Sequence, residues 1–125
     1  MFAQKLIGLD VGTTSVKAAV IDTNGTIHAR FSESYPSIRT GANLVEQSPE
    51  DWIGLLNKAL NSFIDHKVVG IGICSQVNTH VFLGCDDLPL FPAITWQDIR
   101  AKNEAQNLNS KVSDEEKIKW WGSPM

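Results

Sequence analysis

One helix-forming segment stands between two groups of strand-like runs, and that order confines the chain to an α/β architecture. Ser48-Pro49-Glu50-Asp51 has the chemistry of a helix start: a capping hydroxyl, a proline suited to the first turn, and two acids at the positive end. Trp52, Leu55, Leu56, Ala59, Leu60 and Phe63 then recur along one helical face, which must lie on a sheet. Before the helix, residues 5–9 form the nearly continuous apolar run of a strand buried on both faces. Residues 15–22 are rich in Val, Ala and Ile, and Asn24-Gly25 signals a hairpin into residues 26–34. These runs predict a three-strand antiparallel meander. Residues 35–47, with Pro36 and Gly41, read as a loop. After the helix, residues 67–74 (KVVGIGIC) read as a buried strand, with Gly70 and Gly72 on one face leaving room for another backbone. A helix joining two such strands makes a right-handed crossover, so this strand should run parallel to an earlier one.

Farther along, residues 81–83 and 93–95 read as short strands, Asp86-Asp87 as a turn, and the residues from Ile99 onward as helices. Ser113-Asp114-Glu115-Glu116 is a second capping signal. Trp120 and Trp121 either cap this small core or belong against a neighbour in a longer protein, which is the preferred reading. The 125 residues carry 11 Lys+Arg against 14 Asp+Glu, for a net charge of −3. That balance has no basic face for nucleic acid or anionic membranes. No apolar run reaches the ~20 residues a membrane span requires, and no export signal is read at the start. Asn24-Gly25-Thr26 therefore reads as a hairpin and not as a glycosylation site. Cys74 and Cys85 match no metal or redox spacing and are expected to be free, buried or half-buried thiols in a reducing cytoplasm.

The chemistry concentrates in Leu9-Asp10-Val11-Gly12-Thr13-Thr14-Ser15-Val16-Lys17. It is not a Walker A loop, because it joins two strands and lacks the Gly-Lys-Ser/Thr ending. Gly12 permits a tight turn and close approach to a ligand, the amides near Thr13 and Thr14 can form an anion nest, and three adjacent hydroxyls add donors. Asp10 at the strand end can hold Mg²⁺ through water, and Lys17 supplies a positive charge. The competing reading is a solvated hairpin tip with ordinary turn chemistry.

The segment Asp10 to Ser15, with Lys17, resembles the first phosphate motif of the FGGY carbohydrate kinases. Four further segments are similar in order and spacing: Glu46-Gln47-Ser48-Pro49-Glu50-Asp51-Trp52, Gly70 to Gln76, Pro92-Ala93-Ile94-Thr95-Trp96-Gln97-Asp98-Ile99-Arg100, and Trp121-Gly122-Ser123-Pro124. The third of these is similar to the xylulokinase branch. The resemblance implies an actin-like (ribonuclease H-like) ATPase fold, present in part. Residues 1–125 would be the first part of kinase domain I, with the rest of that domain and domain II absent. It also implies ATP-dependent phosphorylation of a sugar or polyol hydroxyl. Gly12, Thr13, Thr14, Ser15 and Lys17 would hold ATP, and Asp10 would place Mg²⁺. Gln76, Val77, Asn78, Trp96, Asp98 and Arg100 would meet the acceptor.

Trp96 could equally be a core aromatic, and Asp98 and Arg100 could simply pair with each other. Glu46 and Gln47 either border the sugar pocket or support the helix start. His80 is expected to be partly buried, His28 to lie on a strand surface and His66 at a helix end. The loop Ser75-Gln76-Val77-Asn78-Thr79 departs from the Gly-Gln-Met-His-Gly of xylulokinases and lacks the Arg-Glu pair of glycerol kinases, so the resemblance does not fix the acceptor. The family's general-base aspartate has no counterpart here, so the isolated chain should be inactive. The parent protein is expected to be cytoplasmic, to take a small-molecule sugar or polyol, to bind neither nucleic acid nor membrane, and to be a candidate homodimer. The alternatives are an actin-like nucleotide-binding or scaffold module without sugar kinase activity, or an inactive kinase fragment.

Overall fold

The computed structural model describes residues 3–121. Strands β1 (Lys5–Val11), β2 (Ser15–Asp22) and β3 (Ile27–Ser34) form the antiparallel meander. Helix α1 (Pro49–Ser62) then crosses to β6 (Val68–Ser75), which lies parallel to β1 and completes a sheet of order β3-β2-β1-β6. At the Asn24-Gly25 turn only Gly25 is left-handed, at φ 85°, and the register slips so that His28 is the extra residue. Asp22 holds this turn, its Oδ1 accepting from the amides of Asn24 and Thr26 and its Oδ2 lying 2.9 Å from Nε2 of His28.

Ser48 caps α1 as its sequence requires, with Oγ accepting from the Asp51 amide at 3.4 Å and Pro49 in the first turn. The helix covers one face of the sheet only. Ile7, Leu9, Val11, Val16, Ala18 and Val20 are buried there with Ala59 and Phe63, and Leu56 and Leu60 pack at the margin. Residues 5–9 are therefore not buried on both faces: Leu6 and Gly8 are exposed on the side that no described element covers. The reading of residues 67–74 is corrected for a separate reason, because Ile71 and Ile73 share the helix-side face with Ile7 and Leu9 yet lie beyond its cover. β6 is an edge strand with Val69, Ile71 and Ile73 each more than half exposed. A Cβ on Gly70 would meet a Leu6 methyl at 3.2 Å, whereas one on Gly72 would meet nothing within 4 Å, so among the described residues no backbone closes on this pair.

Residues 35–47 are not merely a loop. They contain β4 (Ile38–Thr40) and β5 (Leu44–Gln47), joined across a turn where Gly41 is left-handed at φ 65°. β5 also pairs with β7 (Ala93–Ile94), giving a small second sheet of order β4-β5-β7. These strands are two to four residues long, too short for an alternating pattern to outweigh Pro36 and Gly41. Residues 81–83 form no strand, since only the bridges His80–Ile94 and Leu83–Pro89 occur there. Helices α2 (Lys102–Asn109) and α3 (Asp114–Trp121) follow. α3 opens with a reciprocal capping box: Ser113 Oγ accepts from the Glu116 amide, and the Glu116 carboxylate accepts from the Ser113 amide. Cys74 and Cys85 are free but exposed, and His80 is exposed rather than partly buried. The family-like turn at Gly122-Ser123-Pro124 lies outside the described residues. Among the described residues, no helix is long and apolar enough to cross a membrane.

Candidate functional site

The tip between β1 and β2 is built by anchoring its carbonyls. The Gly12 amide donates to the Ser15 carbonyl at 3.1 Å and closes the turn. The Gly12 carbonyl accepts from the Tyr35 hydroxyl, the Thr13 carbonyl from Nε2 of Gln47 at 2.7 Å, and the Thr14 carbonyl from the Tyr35 amide at 3.3 Å. In a trans peptide each carbonyl points opposite to the next residue's N–H, and there is no cis bond among the described residues. Tying these carbonyls to the protein turns the following amides away from their anchors. Among the described residues, nothing accepts from the amides of Thr13 or Thr14. Two consecutive free amides with adjacent hydroxyls are the donors an anion would need at this tip.

A Cβ on Gly12 would stand 3.4 Å from the Ser15 carbonyl oxygen and 3.6 Å from Oδ2 of Asp10, which is ordinary contact, so the turn itself does not demand glycine. Tyr35, only 8% exposed, also packs edge-on to Trp52 with ring centroids 6.4 Å apart. Burial, then the nearby Asp10 charge, pushes its phenol above the usual range, so it remains a donor.

On the uncovered face of the sheet, Ser32, Lys17, Asp10 and Cys74 form one row across the four strands, with Arg30, Ala19, Gly8 and Gly72 in the next. They line a shallow groove of about 700 Å³. Asp10 is half-buried at the root of the hairpin, and the Cys74 thiol lies 3.5 Å from its Oδ1. Local desolvation of the thiol, then its hydrogen bond to Asp10 and that carboxylate's charge, raises the Cys74 pKa although the residue as a whole is exposed, so the thiol is a donor to this carboxylate. Among the described residues no three His, Cys, Asp or Glu side chains converge as a metal site. A single carboxylate at the root of a tip with two free amides suits Mg²⁺, which is commonly held by one or two carboxylates with phosphate oxygens and water. Asp10 fits that role.

A second pocket, of about 440 Å³, is lined by Thr13, Ser75, Gln76, Val77, Asn78 and Trp96. The Gln76 amide donates to the Val11 carbonyl at 2.8 Å, which fixes the loop to the end of β1. Its side-chain Nε2 donates to Oε1 of Gln47, while its own Oε1 is buried without a partner. Asn78 sits in left-handed backbone at φ 53°, a conformation asparagine tolerates. Trp96 is 54% exposed, and its indole N–H donates to Oγ1 of Thr13 at 3.0 Å. Thr13 thus belongs to both the hairpin tip and the pocket.

Four of the six residues expected to meet an acceptor come together here: Gln76, Val77, Asn78 and Trp96. Asp98 and Arg100 do not. Asp98, with its side chain 1% exposed, accepts from the Val45 amide at 2.7 Å and from Nε and Nη2 of Arg100. Arg100 Nη2 reaches Glu46 as well, at 2.6 Å. These groups satisfy each other and clamp residues 95–100 onto β5, as the pairing alternative foresaw. Arg100 holds the Asp98 carboxyl far below the usual range. Glu46 likewise belongs to the clamp and not to the pocket. Sequence reasoning missed Tyr35 and Ser37, which lie in the supposed loop, and left Gln47 between two roles. The lone tyrosine of the chain, just before Pro36, was the available signal.

The sheet order, the crossover and the likeness to solved sugar kinases define the actin-like ATPase fold, present here in part. The sequence model described as FGGY family of carbohydrate kinases, N-terminal domain, matches residues 5–124, and the chain belongs to that family. It is 33% identical over 115 residues to a xylulose kinase of Bacillus subtilis (strain 168), covering 87% of this chain and 23% of that protein. Among solved structures, it resembles the ligand-bound xylulose kinase from Lactobacillus acidophilus with a TM-score of 0.83 at 32% identity, covering 93% of this chain and 24% of that one. The gluconate kinase from Lactobacillus acidophilus matches with a TM-score of 0.83 at 31% identity, covering 94% and 25%. The chain therefore spans about a quarter of the length of these relatives.

Proposed function

We propose that the protein carrying this segment phosphorylates a hydroxyl of a small sugar, sugar acid or polyol with ATP. Residues 1–125 would supply the phosphate-binding hairpin and one wall of the acceptor pocket. The rest of this first domain, a second domain and the general base would come from elsewhere in the longer polypeptide. The observation that carries this reading is the position of Thr13, whose free amide belongs to the anion cradle while its hydroxyl borders the pocket. An actin-like scaffold needs the cradle but no polar pocket against it.

The amides and hydroxyls of Thr13 and Thr14, with Ser15 behind them, would hold phosphate oxygens, and Lys17 would add charge from the same sheet face as Asp10. Asp10 would hold Mg²⁺, which supplies charge neutralisation on the phosphates when bound. Beside the pocket, the buried Oε1 of Gln76 lacks a donor, Asn78 can donate and accept, and Trp96 offers an exposed ring face. Phosphoryl transfer depends mainly on positioning and charge stabilisation, which these groups are suited to provide. A cytoplasmic enzyme, candidate homodimer, with neither a nucleic-acid nor a membrane partner is the accompanying proposal. Incubating the full-length protein with Mg-ATP and a panel of ketoses, sugar acids and polyols should give acceptor-dependent ADP release with at least one of them. ADP release that no member of the panel stimulates would contradict the reading.

A further inference from the structure

We propose that Gln47 is a positioning residue that couples the nucleotide and acceptor subsites, orienting the Thr13 peptide and the Gln76 carboxamide through one buried amide. The inference rests on the kinase reading above and assigns a mechanism to one residue within it. Gln47 is fully buried, with 0% exposure. Its NH₂ has two hydrogens, and both are committed: one to the Thr13 carbonyl at 2.7 Å and one to Oγ of Ser37 at 2.7 Å. Its Oε1 accepts from Nε2 of Gln76 at 2.8 Å. A flipped Gln47 would set oxygen against the Thr13 carbonyl and nitrogen against the Gln76 nitrogen, so only one orientation satisfies both ends.

That orientation has two consequences. Holding the Thr13 carbonyl inward turns the Thr14 amide outward, toward the anion side of the hairpin. Engaging one hydrogen of Gln76 Nε2 fixes which way this carboxamide faces, so that its buried Oε1 stands without a donor beside the pocket Gln76 lines. The backbone of Gln47 cannot easily yield. It ends β5, pairs with Ala93 of β7, and immediately precedes the cap of α1. A purely structural glutamine would lower stability without acting on the two substrates through separable routes.

The test uses the full-length polypeptide, with Mg-ATP and D-xylulose, D-gluconate or glycerol, whichever supports turnover. Gln76→Leu should raise the acceptor KM about tenfold and leave the ATP KM within about twofold. Gln47→Leu should raise the acceptor KM about tenfold and the ATP KM at least about threefold. Adding Gln76→Leu to Gln47→Leu should change the acceptor KM by no more than about twofold, because the second change removes an effect already lost. An unmoved ATP KM in Gln47→Leu, or acceptor effects that multiply in the double variant, would overturn the inference. If Gln47→Leu does not fold, Gln47→Met is read against the same limits, and failure of both to fold makes Gln47 a folding residue and overturns the inference as well. If none of the three supports turnover, the active member of the wider panel replaces them, and wild-type protein inert toward the whole panel removes the kinase reading and this inference with it.

Discussion

Asp10→Ala, made in the full-length polypeptide, should lower kcat by about a thousandfold or more while moving the acceptor KM little. Asp10 stands at the root of the hairpin, between Lys17 and Cys74 in one row of the sheet, and does not line the acceptor pocket. No cluster of acids among the described residues duplicates it. Its loss would therefore remove the one carboxylate placed beside the anion cradle without disturbing Gln76, Asn78 or Trp96. Asp10→Asn retains the shape and can still accept from the Cys74 thiol, yet should be nearly as impaired, because charge and not packing is what it removes. Steady-state ADP release measures both. Near-wild-type kcat in either variant would withdraw the metal assignment.

Asp98→Ala should be the most damaging single change to stability near the pocket, costing about 3 kcal/mol and lowering the Tm of the 125-residue chain by on the order of 10 °C. Arg100 is one-third exposed, so water screens the ion pair from its side and the pair itself contributes modestly. The larger cost arises at Val45, which is buried and whose amide would lose its partner. Because Arg100 holds the folded-state pKa of Asp98 below its unfolded value, the carboxylate stabilises the fold at pH values above the unfolded pKa, near ~4, and this contribution is lost as pH falls below that. Thermal melts from pH ~5 to ~2 should show the wild-type Tm falling more steeply than that of Asp98→Asn. Parallel curves would mean that the clamp does not carry this acid sensitivity.

The parts of the fold set by long periodic segments were legible in the sequence. The apolar stripe from Trp52 to Phe63 and the Ser48-Pro49 cap defined α1, and the order of strands around it defined the crossover. What pattern alone could not reveal was which sheet face stays open. The run through Leu6 and Gly8 looks doubly buried until one sees that α1 covers only the Ile7–Leu9–Val11 side. Short strands such as Ala93–Ile94 were legible only in part, because two residues contain no period. The hairpin itself was legible because the polar Gly12-Thr13-Thr14 turn separates two apolar runs. The supports were not: Tyr35 and Gln47 lie 23 and 34 residues from the carbonyls they hold, and no local spacing announces such bonds. Asp98 and Arg100 show the opposite failure. Two charged residues at a site-like spacing proved to satisfy each other.

The most direct test of the phosphate cradle is a crystal structure of the full-length protein with a non-hydrolysable ATP analogue and Mg²⁺. The amides of Thr13 and Thr14 should donate to phosphate oxygens at about 2.7–3.2 Å, with Asp10 on the metal side. Phosphates seated elsewhere, with the Thr13–Thr14 tip still facing solvent, would contradict the account.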